Sequence, residues 1–193
     1  NISTFSLGFT LSPVTGTVRE SRTIANWANF SMNLNARPQG TVVIGLSSSN
    51  LNEAVVSPAA FTFTSDNWNA PQTVTITGVD DDDDDGDTEF SVKLTVISTG
   101  DSNFKAEDLK EVHLQNIDDE TAGFTVSSIS RDVTEEGQTA QFTVSLNSRP
   151  TANVTIPLRS SDLTQGTVMP ASLTFTRDNW RGLQTVTVTG VNN

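Results

Sequence analysis

One segment of this chain occurs twice. Residues 61–79 read FTFTSDNWNAPQTVTITGV and residues 173–191 read LTFTRDNWRGLQTVTVTGV, identical at thirteen of nineteen positions with a constant offset of 112. A second pair, GFTLSPVTGTVRE at 8–20 and GFTVSSISRDVTE at 123–135, matches at an offset of 115, so a small insertion falls near 21–27. Self-similarity at a fixed period decides architecture before local propensity does. The chain is therefore read as two copies of one module. The first spans residues 1–119, with its repeat frame opening at Gly8; the second spans 120–193 and has about two thirds of that length. Six consecutive aspartates, 80–85, follow the first copy of the long segment. After the second copy come two residues. On this reading the second module stops before its own acidic loop and last two strands.

Apolar residues alternate with Thr or Ser through most of the sequence. Val74 and Ile76 alternate with Thr73, Thr75 and Thr77; Phe90, Val92, Leu94 and Val96 alternate with Ser91, Lys93 and Thr95. Period two with β-branched residues predicts half-buried strands. Arg37-Pro38 and Arg149-Pro150 mark equivalent turns. In the first module strands are expected near 7–11, 16–19, 27–35, 40–47, 59–64, 72–78 and 89–97, with a closing strand near 109–117. That spacing predicts an all-β protein of tandem immunoglobulin-like sandwiches, the second incomplete. Cysteine is absent, so apolar packing alone holds each sandwich, and Phe30, Phe63, Phe142 and Phe175 are the core candidates. Trp68 and Trp180 follow Asp-Asn in both copies. They read as lids on the end of each sandwich, with Asp66 and Asp178 bonding the turn backbone; the alternative is a sugar-stacking platform.

Twenty-three acidic residues against eleven basic ones leave a net charge of -12. Such a surface repels nucleic-acid phosphates and anionic lipid and favours cations as partners. No run of about 18 apolar residues is present, so no membrane insertion by a helix is expected. The Thr, Ser, Asn and Val bias agrees with an exported surface protein, and no signal peptide is read in this stretch.

An early glutamate, an acidic GV-DDD loop, and a closing strand that runs into I-D-D-x-x-A-G occur in that order. This ordered set resembles the Calx-beta domain family. The resemblance covers nearly the whole chain, one full copy and most of a second. It implies a seven-stranded sandwich with Ca²⁺ held by loops at one end, near the junction with the next domain. Carried over by position, the first acidic ligand is Glu20, with Glu135 in the second module and Glu136 as its competitor. The second ligand falls on Asp162 in the second module, where the first has Asn50. The third group is Asp80, Asp81, Asp85 and Asp87, with a backbone carbonyl near Asp83. The last is Asp118 and Asp119, with Glu120 beside them.

The chemistry of those residues leads to the same ion. Calcium takes about six to eight hard oxygen ligands in flexible geometry, whereas magnesium demands a rigid octahedron and keeps its waters. One histidine and no cysteine cannot build a preferred zinc shell. Two like charges about 4 Å apart repel by about 1 kcal/mol in water and about 4 kcal/mol at an effective dielectric of about 20. A divalent ion reverses the sign of that repulsion. The alternative is a solvated acidic loop. If linker carboxylates share the ions, calcium stiffens the joint, as expected of a spacer or adhesin segment outside the cell. Partners are then calcium ions and neighbouring copies of the module or chain, with a cell-surface or matrix ligand left open.

Two other functions stay open at this point. A neighbouring chain's strand, for which 1–7 (NISTFSL) is a candidate, completes the second sandwich in an extracellular filament. Or loop residues make a carbohydrate- or protein-binding module. An enzyme is not expected. His113, the only histidine, lies on a strand face with Glu111 and Gln115, and no catalytic triad, P-loop or dinucleotide fingerprint is present. Asn-x-Ser/Thr at Asn1, Asn29 and Asn153 is read as chance.

Overall fold

The computed structural model describes residues 8–22, 24–104 and 108–192; the candidate donor segment 1–7 and Asn1 lie outside these. Every regular element among them is a strand. None is a helix long and apolar enough to cross a membrane. The chain forms two compact units, one of residues up to Asp81 together with Asp85–Asp119, the other of Asp82–Asp84 together with Glu120–Asn193.

The first unit is a β-sandwich. Its strands are β1 (Phe9–Leu11), β2 (Thr15–Gly16), β3 (Val18–Arg19), β4 (Trp27–Leu34), β5 (Val42–Ser48), β6 (Ala54–Ser57), β7 (Ala60–Phe63), β8 (Gln72–Gly78), β9 (Thr88–Thr99) and β10 (Asp108–Ile117). One sheet runs β1-β4-β8-β6, with β2 also on β4; the other runs β3-β10-β9-β5-β7. Alternation sends one face of each strand inward. Phe30, Met32 and Leu34 of β4, Val74 and Ile76 of β8, Val42 and Ile44 of β5, and Val92 and Leu94 of β9 are buried in one core. Phe63 is fully buried there. Burying such a side chain contributes about 1.5–3 kcal/mol. Strand β6 falls outside the sequence expectation. Only Ala54 of its four residues is buried and Val55 stays 46% exposed, so this short edge strand leaves no period-two signal.

The second unit repeats the plan with fewer strands. They are β11 (Phe124–Val126), β12 (Thr139–Leu146), β13 (Val154–Pro157), β14 (Gly166–Met169), β15 (Ser172–Phe175) and β16 (Gln184–Gly190). One sheet runs β11-β12-β16-β14, and β13 pairs with β15. Val144, Leu146, Leu173, Phe175, Trp180 and Val186 form its core, with Phe142 partly buried against it.

The repeated DNW turn is built by its asparagines. Asn67 Oδ1 accepts the Thr64 N–H at 2.6 Å, and Asn179 Oδ1 accepts the Thr176 N–H at 2.6 Å. Asp66 instead reaches Ser65 Oγ and Arg37, so the turn role expected of Asp66 and Asp178 belongs to the next residue. The amide is the better fit because its NH₂ also donates, to the Thr62 carbonyl in one turn and the Thr174 carbonyl in the other. Trp180 is buried in the second core and Trp68 packs partly buried against the first. His113 is exposed beside Glu111.

Candidate metal centre

The site begins with a parallel strand pair. Strand β3 lies along the end of β10, with Val18 opposite Asn116 and Arg19 opposite Ile117. The Glu20 N–H donates to the Ile117 carbonyl at 2.9 Å, which extends the pairing by one residue. Glu20 is thereby delivered beside Asn116 and Asp118. The approach is close: a Cβ on Gly78 would meet the Arg19 carbonyl oxygen at 2.3 Å, so only glycine fits at the end of β8. The second approach comes from the turn before β6, where the Val79 N–H donates to the Glu53 carbonyl at 2.9 Å. That bond ties Glu53 to the residue preceding the aspartate run.

Glu20, Glu53 and Asn116 are 3%, 6% and 0% exposed. The Asn116 amide donates to Glu20 Oε1 at 2.9 Å and to Glu53 Oε2 at 3.1 Å. Glu20 Oε2 is buried with no donor against it. Carboxylate oxygens of Glu20 and Asp118 lie within 4.8 Å of each other. Burial, above all, pushes the Glu20 carboxyl up to about 8; a hydrogen bond with Glu53 and the charges of Asp85, Glu53 and Asp81 act the same way.

Asp101 shows what a purely structural buried acid looks like in this fold. It is 4% exposed, but it accepts the Gln39 N–H at 2.7 Å and the Asn103 N–H at 2.9 Å, and these bonds hold its carboxyl below the usual range. Glu20 has the burial with one such donor, Asn116 on Oε1, and none on Oε2.

The acidic loop divides. Asp81 and Asp85 are near enough to raise Glu20. Asp87 Oδ1 accepts the Asp118 N–H at 3.2 Å, and Asp118 Oδ2 accepts the Gly86 N–H at 2.7 Å. Gly86 has φ +79°, a left-handed conformation that suits glycine and turns the loop back to the end of β10. Asp80 pairs with Arg22. Asp119 is exposed.

Asp82–Asp84 belong to the second unit. There Asp83 meets Arg149 Nε at 2.6 Å and an Arg177 nitrogen at 3.0 Å. Its hydrogen bond with Arg149, chiefly, holds the carboxyl below the ordinary value. Asp82 pairs with Arg181, which also stacks over Trp180 at 4.4 Å. Asp84 accepts the Ala122 N–H. Asp83 thus serves arginines with its carboxylate, a role the position-by-position transfer did not include.

The second-unit residues Glu135 and Asp162 are exposed. Asp162 Oδ1 accepts from the Thr164 N–H at 2.9 Å and the Thr164 hydroxyl at 2.6 Å, and these bonds lower its carboxyl. Asn50 does the corresponding work in the first unit, accepting the Asn52 N–H at 3.1 Å. Glu53, three residues on, brings a buried carboxylate to Asn116. The sequence transfer passed over it, and its only signal is an isolated acid at the mouth of an apolar strand, where the second copy has Gln165.

No protein family model matches the chain, and no curated protein does. Solved structures of similar strand arrangement include CBD12 from CALX1.2, at 14% identity over 91% of this chain and 71% of that one, with a TM-score of 0.39. The calcium binding domain CBD12 of CALX1.1 aligns at 13% identity over 86% of this chain and 69% of that one, with a TM-score of 0.38. A chaperone–tip adhesin complex of CFA/I fimbriae biogenesis aligns at 8% identity over 96% and 84%, with a TM-score of 0.39.

Proposed function

We propose that this chain is a calcium-binding structural segment of a repetitive extracellular or cell-surface protein, a stalk spacer or adhesin module. The reading rests on one observation above the rest: Glu20 and Glu53 are buried together, and Glu20 Oε2 has no hydrogen-bond donor. Holding that carboxyl as an anion is costly, which is why it keeps its proton up to about 8 without a metal. A hard cation replaces the proton and offsets the cost of the charge. The residues around it fit calcium, since every side chain on offer is an oxygen donor and the group gathers from separate loops.

In this reading Glu20, Glu53, Asp81, Asp85 and Asp118 hold the ion, and Asp80, Asp87 and Asp119 add charge at the rim. Asn116 orients the two glutamates. Calcium supplies charge neutralisation and a cross-link between the acidic loop, the turn before β6 and the end of β10. By mass action a ligand at about 100 times its Kd adds about 2.7 kcal/mol to the folded state. The same ions stiffen the stretch around Asp118 and Asp119 that leads into the second module.

Thermal unfolding and small-angle scattering, each in calcium and in chelator, test this. Calcium is expected to raise the melting temperature of the first unit and to narrow the distribution of maximum dimensions. Identical curves in both conditions would remove the proposal.

A further inference from the structure

One sheet of the first unit carries no charge. Strands β1, β2, β4, β6 and β8 hold no Asp, Glu, Lys, Arg or His, in a chain with 23 acidic and 11 basic residues. The other sheet of the same unit carries Arg19, Glu89, Lys93 and Glu111. Alternation buries Ala28, Phe30, Val74 and Ile76, so their neighbours face outward. The strand register sets those neighbours in rows. Trp27, Thr77 and Val55 form one row across β4, β8 and β6; Asn29, Thr75 and Ser57 form the next, followed by Ser31 and Thr73. Trp27 and Val55 are each 46% exposed. Asn29 Oδ1 is buried and has no hydrogen-bond partner. A shallow cavity of about 340 Å³ lies along this face, lined by Ser12, Pro13, Thr15, Asn29, Ser31 and Thr73.

The second unit keeps the frame without these features. At the repeat offset Thr139 stands for Trp27 and Thr167 for Val55, so the matching row is Thr139, Thr189 and Thr167. Gln141 stands for Asn29, and its amide donates to the Thr187 hydroxyl on the neighbouring strand at 3.3 Å. A row of threonines beside an engaged amide is all that a solvated sheet face needs. In the same places the first unit has an open indole, an open valine and an acceptor without a donor. Of the three tryptophans, Trp68 packs against the first core and Trp180 lies in the second. Trp27 alone keeps a ring face free for a ligand.

The structure assigns to this face a binding site for a neutral saccharide, with Trp27 as its platform. A pyranose ring turns C–H groups toward one side, and these meet the electron-rich face of the indole. Its hydroxyls both donate and accept, as do the Ser and Thr hydroxyls and the Asn amide around Trp27. A sugar hydroxyl donates to Asn29 Oδ1 and removes the cost of that buried, unpaired acceptor. Strands lie about 4.8 Å apart, so the side chains of one row reach successive hydroxyls of one ring. The cavity beside Asn29 takes the next ring along. Charge excludes acidic sugars: their carboxylates find no cation on these strands, and the net charge of -12 repels them.

The experiment titrates cellohexaose, laminarihexaose, xylohexaose and mannohexaose into the full chain, with hexagalacturonate as the anionic control. Indole and backbone N–H shifts are followed by NMR. Saturable binding of at least one neutral hexaose is expected. It should move the Trp27 indole and the Asn29 and Thr75 amides and leave the Thr187 amide and the Trp180 indole unmoved. Trp27→Ala should weaken it by about tenfold, and Trp27→Phe, which keeps a ring, should weaken it less. Trp27 lies outside the core, and unchanged Phe30 and Val74 amides check that the variants are folded. No binding of any neutral hexaose, equal binding of hexagalacturonate, or an affinity that Trp27→Ala leaves intact would overturn the proposal. So would sedimentation showing dimers that Trp27→Ala abolishes, which would make this face a contact between copies of the chain.

Discussion

Glu20 and Glu135 hold the same place in the repeat and have opposite surroundings. Glu20 is buried beneath the end of β10, in hydrogen-bond contact with Asn116 and beside Asp118. Glu135 sits in an exposed turn. The strand that opens each module pairs in the same way in both copies, β1 on β4 and β11 on β12, so the difference comes from what packs near the glutamate. Strands β9 and β10 bring Asn116 and Asp118 to Glu20, and no described strand does this for Glu135. Strand β9 also lies beside Val42 and Ile44, which are fully buried in the first unit, while Val154 and Ile156 remain partly open. Strand β9 thus extends the sheet beside β5, and β10, paired to β9, carries the acidic end.

That contrast predicts unequal cores, and truncating equivalent phenylalanines tests it. Phe63→Ala should cost toward the upper end of about 3–5 kcal/mol and Phe175→Ala toward the lower end, because the smaller core relaxes around the gap. Chemical denaturation with unit-specific probes measures both. Equal costs would mean that β9 and β10 add little to packing.

Next in size is the binding contrast. Glu20→Gln and Glu53→Gln should each weaken calcium binding by about 100-fold, and Glu135→Gln should leave it unchanged. Calorimetric titration of the three variants separates them.

The pH dependence sharpens the same point. In chelator, the folded Glu20 carboxyl lies at about 8 and the ordinary value is 4.5. Its protonation favours the folded state. That contribution is fully present below the ordinary value and is lost as the pH rises through the folded one. Metal-free wild type should therefore lose stability between about pH 5 and pH 8, and Glu20→Gln should flatten the slope and be the more stable at the upper end. Urea midpoints across that window give the answer; parallel slopes in both proteins would place the buried charge elsewhere.

The smallest effect concerns the divided aspartate run. Asp83→Asn should cost the second unit about 1 kcal/mol through its lost arginine contacts and leave calcium affinity unaltered. A fall in affinity would assign Asp83 to the metal site after all.

Much of the fold is legible in the repeat, because the alternation that buries Phe30, Val74 and Val92 is written directly in the residue order. Strand β6 is not, since one buried alanine makes no pattern. The site was harder to read for the same kind of reason. A run of identical aspartates does not say which members turn toward Glu20 and which toward Arg149 and Arg177, partners that lie 66 and 94 residues further along. Glu53 was hidden because its partners, Asn116 and Glu20, are remote in sequence and only the folded sandwich brings them together. The DNW turn misled by one residue, since Asp and Asn both suit turns and only the amide can also donate.

The central claim is that the buried carboxylates at the Glu20 end of the first unit form a calcium site. Calorimetric titration of calcium into metal-free wild type and Glu20→Gln tests it most directly. The account predicts saturable binding to wild type that Glu20→Gln weakens by about 100-fold. No saturable heat in millimolar calcium, or binding that survives the substitution intact, would contradict it.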